Sequence, residues 1–337
     1  MDRSASEITF DSGGVCNFCH QAQEALKEIE EDKHKLPKIL IQIEKDGKGK
    51  KYDCLVGLSG GVDSSTALHY AVSLGLRPLC FSVDTGYNKP DADENIMKLV
   101  EGLKVPFYRY VIDLKKFKEL QGAFLRAGVP NVEIPTDHVL LAVTYELAEQ
   151  YGIKWIISGG NVASESIMPF SWGYNARDLV HIKDIYKKMA GEELTGLPVC
   201  GLLKWNWYKN VKRIKTLYLL DSFGYNRKES EKMLTEKYGF KSTGEKHFEN
   251  YFTWWHISFY LFEKFGFDKR KAHFSSLVNS GQMTREEALA LSAENPTYPT
   301  LSIESRVMKY PKRSHDDFKK DEWLYNLIAK FVKLWKS

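Results

Sequence analysis

The chain has little of what would make it a membrane, secreted or fibrous protein. No uninterrupted apolar run reaches the ~18 residues that a spanning helix requires, so membrane insertion is not expected. Five cysteines in 337 residues are too few, and odd in number, for a disulfide framework; free thiols in a reducing compartment or a metal knuckle remain. Charge of one sign is also lacking. Lys and Arg number 48 against 44 Asp and Glu, a net charge of +4, too even for a protein that wraps nucleic acid. The opening Met1-Asp2-Arg3-Ser4 runs on to Glu7 and Asp11 without an apolar stretch, and a soluble, cytoplasmic protein is expected. Repeats and low-complexity tracts are absent.

What is present is an ordinary globular composition, 43% apolar and 27% charged, with 13% aromatic residues, enough for one large or two modest domains. The polar turn Asp46-Gly47-Lys48-Gly49-Lys50-Lys51 marks a boundary near residue 50. Beyond it, short apolar runs alternate with helical patterns: strands are expected at Tyr52–Leu58, Leu79–Val83, Phe107–Ile112 and Trp155–Ile157, with helices at Ser64–Leu74, Asn95–Leu103 and His138–Tyr151. Strands separated by helices imply βαβ units and a parallel sheet, with ligands at the strand C-termini. The fold class is α/β and Rossmann-like. After about residue 175 strand signals fade. Val211–Ser222, Arg227–Tyr238, Tyr251–Phe265, Thr284–Ser292 and Asp321–Lys336 have helical periodicity, so residues 1–50, 51–210 and 211–337 are expected as an N-terminal segment, an α/β domain and a helical region.

The stretch Ser59-Gly60-Gly61-Val62-Asp63-Ser64 follows the first strand and opens a helix. Two glycines let the backbone approach a pyrophosphate, first-turn amides and the helix dipole favour the anion, and Ser59 and Ser64 add hydroxyls. Asp63 suits the holding of the loop or a magnesium ion. No Lys stands where a Walker loop needs one, and the spacing is not Gly-x-Gly-x-x-Gly. The plain alternative is an ordinary strand-to-helix turn. The stretch instead resembles the PP-loop of ATP pyrophosphatases, which cleave ATP to AMP and pyrophosphate. That resemblance makes Ser82, Val83 and Asp84, at the end of the second strand, and Ser158, Gly159, Gly160 and Asn161, after the fourth, nucleotide-site candidates. Asp84 as a helix cap and Gly159 as a turn residue are the alternatives.

Four further segments narrow the reading: Ile8-Thr9-Phe10-Asp11 with Gly14-Val15-Cys16-Asn17-x-Cys19; Pro135-Thr136-Asp137-His138; His247-x-Glu249-Asn250-x-Phe252-Thr253; and the run from Phe265-Gly266-Phe267-Asp268-Lys269-Arg270-Lys271-Ala272-His273 to Ala288. With the PP-loop, over most of residues 8–295, they resemble the N-acetyl sugar amidotransferase family. The resemblance implies an ATP- and Mg2+-dependent enzyme that adenylylates the acetamido oxygen of a nucleotide-activated sugar. Ammonia from a separate glutaminase/cyclase-like complex then displaces AMP to leave an acetamidino group, a modification of O-antigen and flagellar glycans. No nucleic-acid partner is implied.

An amide oxygen is a weak nucleophile, so catalysis must come from orientation and from cations on the phosphates. Candidates are Asp63, Asp137, Lys183, Lys269, Arg270 and Lys271, with His181, His247 and His273 for proton transfer and Glu249 beside His247. A Lys-Arg-Lys run is equally a solvated helix end, His247 with Glu249 a cap, and Trp254 with Trp255 core. Cys16 and Cys19 have zinc-knuckle spacing, but only His20 or Cys200 offers a third donor, so Zn2+ is a candidate cofactor resting on a pair without its partner pair. The competing function is a PP-loop tRNA thiolase with Cys200 as persulfide carrier, which needs a reactive thiol in the nucleotide cleft and a basic face. A third is a nucleotide-binding module without turnover.

Overall fold

In the computed structural model, which describes residues 1–321, five parallel strands form one sheet in the order β3-β2-β1-β4-β5. They are β1 (Cys54–Gly57), β2 (Pro78–Asp84), β3 (Phe107–Val111), β4 (Trp155–Ser158) and β5 (Lys215–Tyr218). Alternation along the strands divides two cores. Leu55, Leu79, Phe81, Val83 and Ile156 face one, while Cys54, Val56, Cys80, Trp155 and Ile157 face the other. Burial on both faces is why these runs read as nearly continuous apolar segments.

Before the sheet come α1 (Asn17–Asp32) and α2 (Leu36–Gly47); between its strands lie α3 (Val62–Ser73), α4 (Pro90–Leu103), α5 (Leu114–Ala127), α6 (Ile134–Gln150), a short α7 (Val162–Glu165), α8 (Leu179–Ala190) and α9 (Leu202–Asn206). After it follow α10 (Arg227–Tyr238), α11 (Tyr251–Trp255), which continues as a π-helical segment His256–Phe265, then α12 (Lys269–Asn279), α13 (Arg285–Ala293) and α14 (Glu304–Val307). The expected Asp321–Lys336 helix lies almost wholly outside the described residues. Among the described residues no helix is long and apolar enough to cross a membrane.

The fifth strand corrects the helical reading of Val211–Ser222. Ile214, Leu217 and Leu220 are buried at the three-residue spacing of a helix. They belong instead to an edge strand, paired to β4 at Trp155↔Lys215 and Ser158↔Tyr218, and a 3-10 turn Leu219–Phe223. Only Leu217 of the strand is buried, so no alternation shows.

From β1 the chain proceeds outward through β2 to β3, then returns to build β4 and β5 on the other side. The direction reverses between β1 and β4, and such a switch point opens a crevice at the strand C-termini. The turn Ser59–Ser64 leaves β1 there, and Ser158–Asn161 leaves β4 beside it.

Candidate nucleotide site

The turn after β1 can only be glycine at its sharpest point. Gly60 has φ +79°, and a Cβ there would lie 2.2 Å from the Ala92 carbonyl oxygen. Gly159 packs against the start of α3, where a Cβ would come 2.7 Å from the Ser64 nitrogen. Ser59 Oγ accepts from the Gly61 amide at 3.2 Å, and its hydroxyl meets Ser64 Oγ at 3.2 Å. The loop is thereby fixed while the amides of Val62, Asp63 and Ser64, in the first turn of α3, have no carbonyl of their own helix to meet. This is a cradle for an anion.

Over the turn lies a cavity of about 390 Å³. Ser59, Gly61, Val62, Asp63 and Ser64 form its floor, with Ser82 and Val83 from β2 and Gly159 and Gly160 after β4. Ser82 is buried, and its hydroxyl has no hydrogen-bond partner, as suits a group held for a ligand. Gly60 shapes the turn from behind. Of the remaining nucleotide candidates, Asp84 accepts from the Gly86 amide at 2.8 Å, Ser158 Oγ from the Gly160 amide at 3.1 Å, and Asn161 from the Ser164 amide at 2.9 Å as the cap of α7. These three hold turns rather than line the cavity.

The opposite wall comes from the segment before α11. Lys246, only 7% exposed as a side chain, pairs with Asp63 and with Glu165 Oε1 at 2.9 Å, and donates to Ser164 Oγ at 2.8 Å. Asp63 also accepts from the Tyr225 hydroxyl. Burial works to raise the Asp63 pKa, but the Lys246 ammonium and the Tyr225 hydrogen bond outweigh it and hold the carboxyl below its ordinary value. The same carboxylates keep Lys246 protonated against its own burial. Glu249 presses on the turn from above, so that a Cβ on Gly61 would meet its Oε1 at 3.0 Å; burial, with Asp63 nearby, raises its pKa. Between them His247 sits at φ +68°, a left-handed conformation that costs on the order of 1–3 kcal/mol for a non-glycine residue. Burial, and then Lys246, push its pKa well below normal, leaving a neutral imidazole.

On the α6 side stand Glu133 and Asp137, four residues apart at the start of the helix. Burial, then the neighbouring Asp137, push Glu133 up to about 8; burial pushes Asp137 up to about 6 against the pull of Lys269.

A second, more apolar cavity of about 270 Å³ adjoins the first across Glu165, Lys246 and His247, which line both. It collects Lys269, Arg270 and His273. Arg270 is spent on a two-armed bond to Asp268, at 3.0 and 2.9 Å, and on the carbonyls of Leu291 and Glu294. His273 donates to the Ser164 carbonyl at 3.1 Å, and burial lowers its pKa to about 4.

The expected site therefore divides. Asp63, Asp137, His247 and Glu249 meet at the first cavity; Lys269, Arg270 and His273 lie behind its wall, Arg270 as a structural tie. Lys183 corrects outright: it is exposed on α8 and lines neither cavity. Lys271 pairs with Asp2, and His181 meets His315 at 2.9 Å inside the α8 layer. Trp255 is wholly buried core. Sequence reasoning missed Lys246, Glu133, Glu165, Arg227 and Tyr225. Lys246 directly precedes one quoted motif and Glu133 stands two residues before another, but side-chain pairing across the fold singles them out, and no spacing shows that.

The cysteines do not fit a zinc site. Cys16 and Cys19 lie with sulfurs 3.4 Å apart in a small core, His20 turns to Asp11 at 2.8 Å, and Cys200 is buried elsewhere. Among the described residues no group of three or more His, Cys, Asp or Glu could hold a metal ion. Cys200 is wholly buried beside His138, whose ring accepts its amide at 3.2 Å, and burial pushes its thiol up to about 11. That is no persulfide carrier in a nucleotide cleft.

Sheet order, switch point and glycine turn are those of a Rossmann-like α/β fold with a nucleotide-type crevice at the strand C-termini. Residues 245–320, which supply the wall, match the family described as LPS biosynthesis protein WbpG-like, C-terminal domain. That match covers less than a quarter of the chain and is confined to its C-terminal part. The chain is 26% identical over 156 residues to the uncharacterized protein MJ1599 of Methanocaldococcus jannaschii, covering 45% of this chain and 53% of that protein. It is 26% identical over 147 residues to a 7-cyano-7-deazaguanine synthase of Myxococcus xanthus, covering 43% and 57%. The chain thus spans about half the length of the curated relatives it matches. Among solved structures, it is similar to an NH3-dependent NAD synthetase from Campylobacter jejuni in complex with the nitrate ion (15% identity, 41% of this chain and 58% of that, TM-score 0.30). An NMN synthetase from Francisella tularensis is also similar (16%, 56% and 97%, TM-score 0.32).

Proposed function

We propose that this chain is an ATP-dependent amidotransferase that converts the acetamido group of a nucleotide-activated N-acetyl sugar, of the kind built into lipopolysaccharide O-antigen or flagellar glycans, into an acetamidino group. One observation carries the reading. The segment that matches the WbpG-like family closes over the phosphate turn itself, through Lys246 on Asp63 and Glu249 against Gly61. A family-specific element is therefore part of the nucleotide chamber, and the second substrate meets ATP between them.

In this reading the β- and γ-phosphates rest on the amides of the turn, Ser82 addresses the nucleoside, and Lys246 neutralises charge as the amide oxygen attacks the α-phosphorus. Pyrophosphate leaves. The adenylylated imidate is then attacked by ammonia at carbon, and AMP departs. A magnesium ion would be held by Asp63 and Glu249 together with the phosphates, as this cation prefers, and would supply further charge neutralisation. Ammonia is supplied by a partner glutaminase.

The test is incubation with ATP, ammonium and candidate UDP- and CMP-sugars, read by nucleotide chromatography and mass spectrometry. AMP and a sugar product lighter by the difference between O and NH are expected. ADP in place of AMP, or a sugar of unchanged mass, overturns the reading.

A further inference from the structure

The nitrogen nucleophile raises a problem that the phosphate turn does not solve. Ammonium has no lone pair, so an N–H bond must break before C–N bond formation. Something in the chamber must accept that proton.

We propose that Glu133 is the general base that takes the proton from the incoming ammonium, with Asp137 as its electrostatic partner. The proposal rests on the amidotransferase reading above. Glu133 lines the first cavity although it is only 8% exposed. Its Oε2 accepts from the Thr253 hydroxyl at 3.0 Å, while Oε1 is buried and has no hydrogen-bond partner. A buried carboxylate oxygen left without a donor is costly, and an N–H donor from ammonium supplies what is missing. Asp137, one helical turn on at the same cavity, offers the cation a second acceptor.

The groups facing Glu133 are few. Asp137 and the Thr136 hydroxyl come from its own helix, Thr253 from α11, the Lys269 ammonium from α12, and the Tyr87 phenol from the loop after β2; the last two sense it only through space. Burial and Asp137 favour the protonated carboxyl, and Lys269 opposes them. The result is a carboxyl that gains and loses a proton near neutrality, as a general base must.

The step balances as follows. Glu133 Oε1 takes one proton from ammonium, and the electron pair of that N–H bond stays on nitrogen. The pair forms the C–N bond to the imidate carbon, the C–O bond to AMP breaks with its electrons, and AMP leaves. The proton on Glu133 passes to solvent, and no oxidant or reductant is needed.

The test is Glu133→Gln, which keeps the shape and an acceptor for Thr253. Three rates are compared: sugar-dependent ATP–pyrophosphate exchange, which stops at the adenylate; turnover with ammonium; and turnover with hydroxylamine, which is largely unprotonated at neutral pH. We expect ammonium turnover to fall at least ~100-fold, with exchange and hydroxylamine turnover unchanged within about twofold. In Asp137→Asn the pH optimum of ammonium turnover moves downward, because the neighbouring negative charge no longer holds the Glu133 proton. Loss of hydroxylamine turnover along with ammonium turnover, loss of exchange, or undiminished ammonium turnover each overturns the assignment. Absence of sugar-dependent exchange in the unaltered enzyme overturns the amidotransferase reading itself, and the role of Glu133 with it.

Discussion

In the proposed function the phosphate turn and the wall that faces it share one task, binding and neutralising a polyanion, with opposite materials. The turn at residues 59–64 is almost all backbone: two glycines, a helix start and two small hydroxyls. The wall at residues 246–249 is almost all side chain: one lysine, one strained histidine and one carboxylate, held against other elements. A backbone site depends on where chain atoms can go, and it is spoiled by added bulk. A side-chain site depends on charge balance, and it is spoiled by removing one member.

The sharpest break of that comparison is Gly60→Ala. Its methyl has no room beside Ala92 and its φ is one that side chains rarely adopt, so AMP formation should fall below detection in a nucleotide chromatography assay. Next in size is Lys246→Met, which takes the cation away and leaves Asp63 and Glu165 facing each other. We expect kcat for AMP formation to fall ~100- to 1000-fold. A loss confined to KM would show that Lys246 only docks the nucleotide. Asp63→Asn should reduce AMP formation comparably and also lower stability by about 1–3 kcal/mol in urea unfolding, because Lys246 loses one of its two carboxylate partners and keeps Glu165.

Acid should act first on the helices packed behind the wall. His256 and His273 have folded pKa values of about 3 and about 4, lowered chiefly by burial, against an unfolded value near 6.5. Each is neutral in the fold, so below pH ~6.5 the unfolded chain binds more protons. Their stabilisation is complete above that pH and declines as pH falls from there toward their folded values. Between pH 6.5 and 5 the loss from His256 is about 1–2 kcal/mol, and His256→Gln should flatten the dependence of Tm on pH. The smallest effect is expected at Lys183: Lys183→Ala should leave AMP formation unchanged within about twofold, since the residue lines neither cavity.

The same contrast explains what could be read from the sequence. The turn was legible because its geometry demands particular residues in an unbroken run, and β1, β2 and β4 because they are buried on both faces; β3, with no buried residue, was legible as an aromatic and β-branched run. The wall was half legible. His247, Glu249 and Asp137 stood in recognisable segments, whereas Lys246 and Glu133, within two residues of such segments, acquire meaning only through Asp63 and through an empty acceptor, features made by folding. Lys183 misled because a lysine looks alike on a solvent face and in a cleft. The edge strand β5 misled because a strand with one buried residue carries no alternation.

Lys246 also has a consequence for how the chamber fills. Its ammonium is already shared between Asp63 and Glu165, so a polyphosphate seated on the turn arrives as a competitor for a charge that is in use. Arrival frees two carboxylates to seek another counter-ion; departure gives the lysine back to them. In the proposed reaction, that exchange would have nucleotide and divalent cation enter as a couple, and would let the spent pyrophosphate be expelled by the protein's own anions reclaiming their partner.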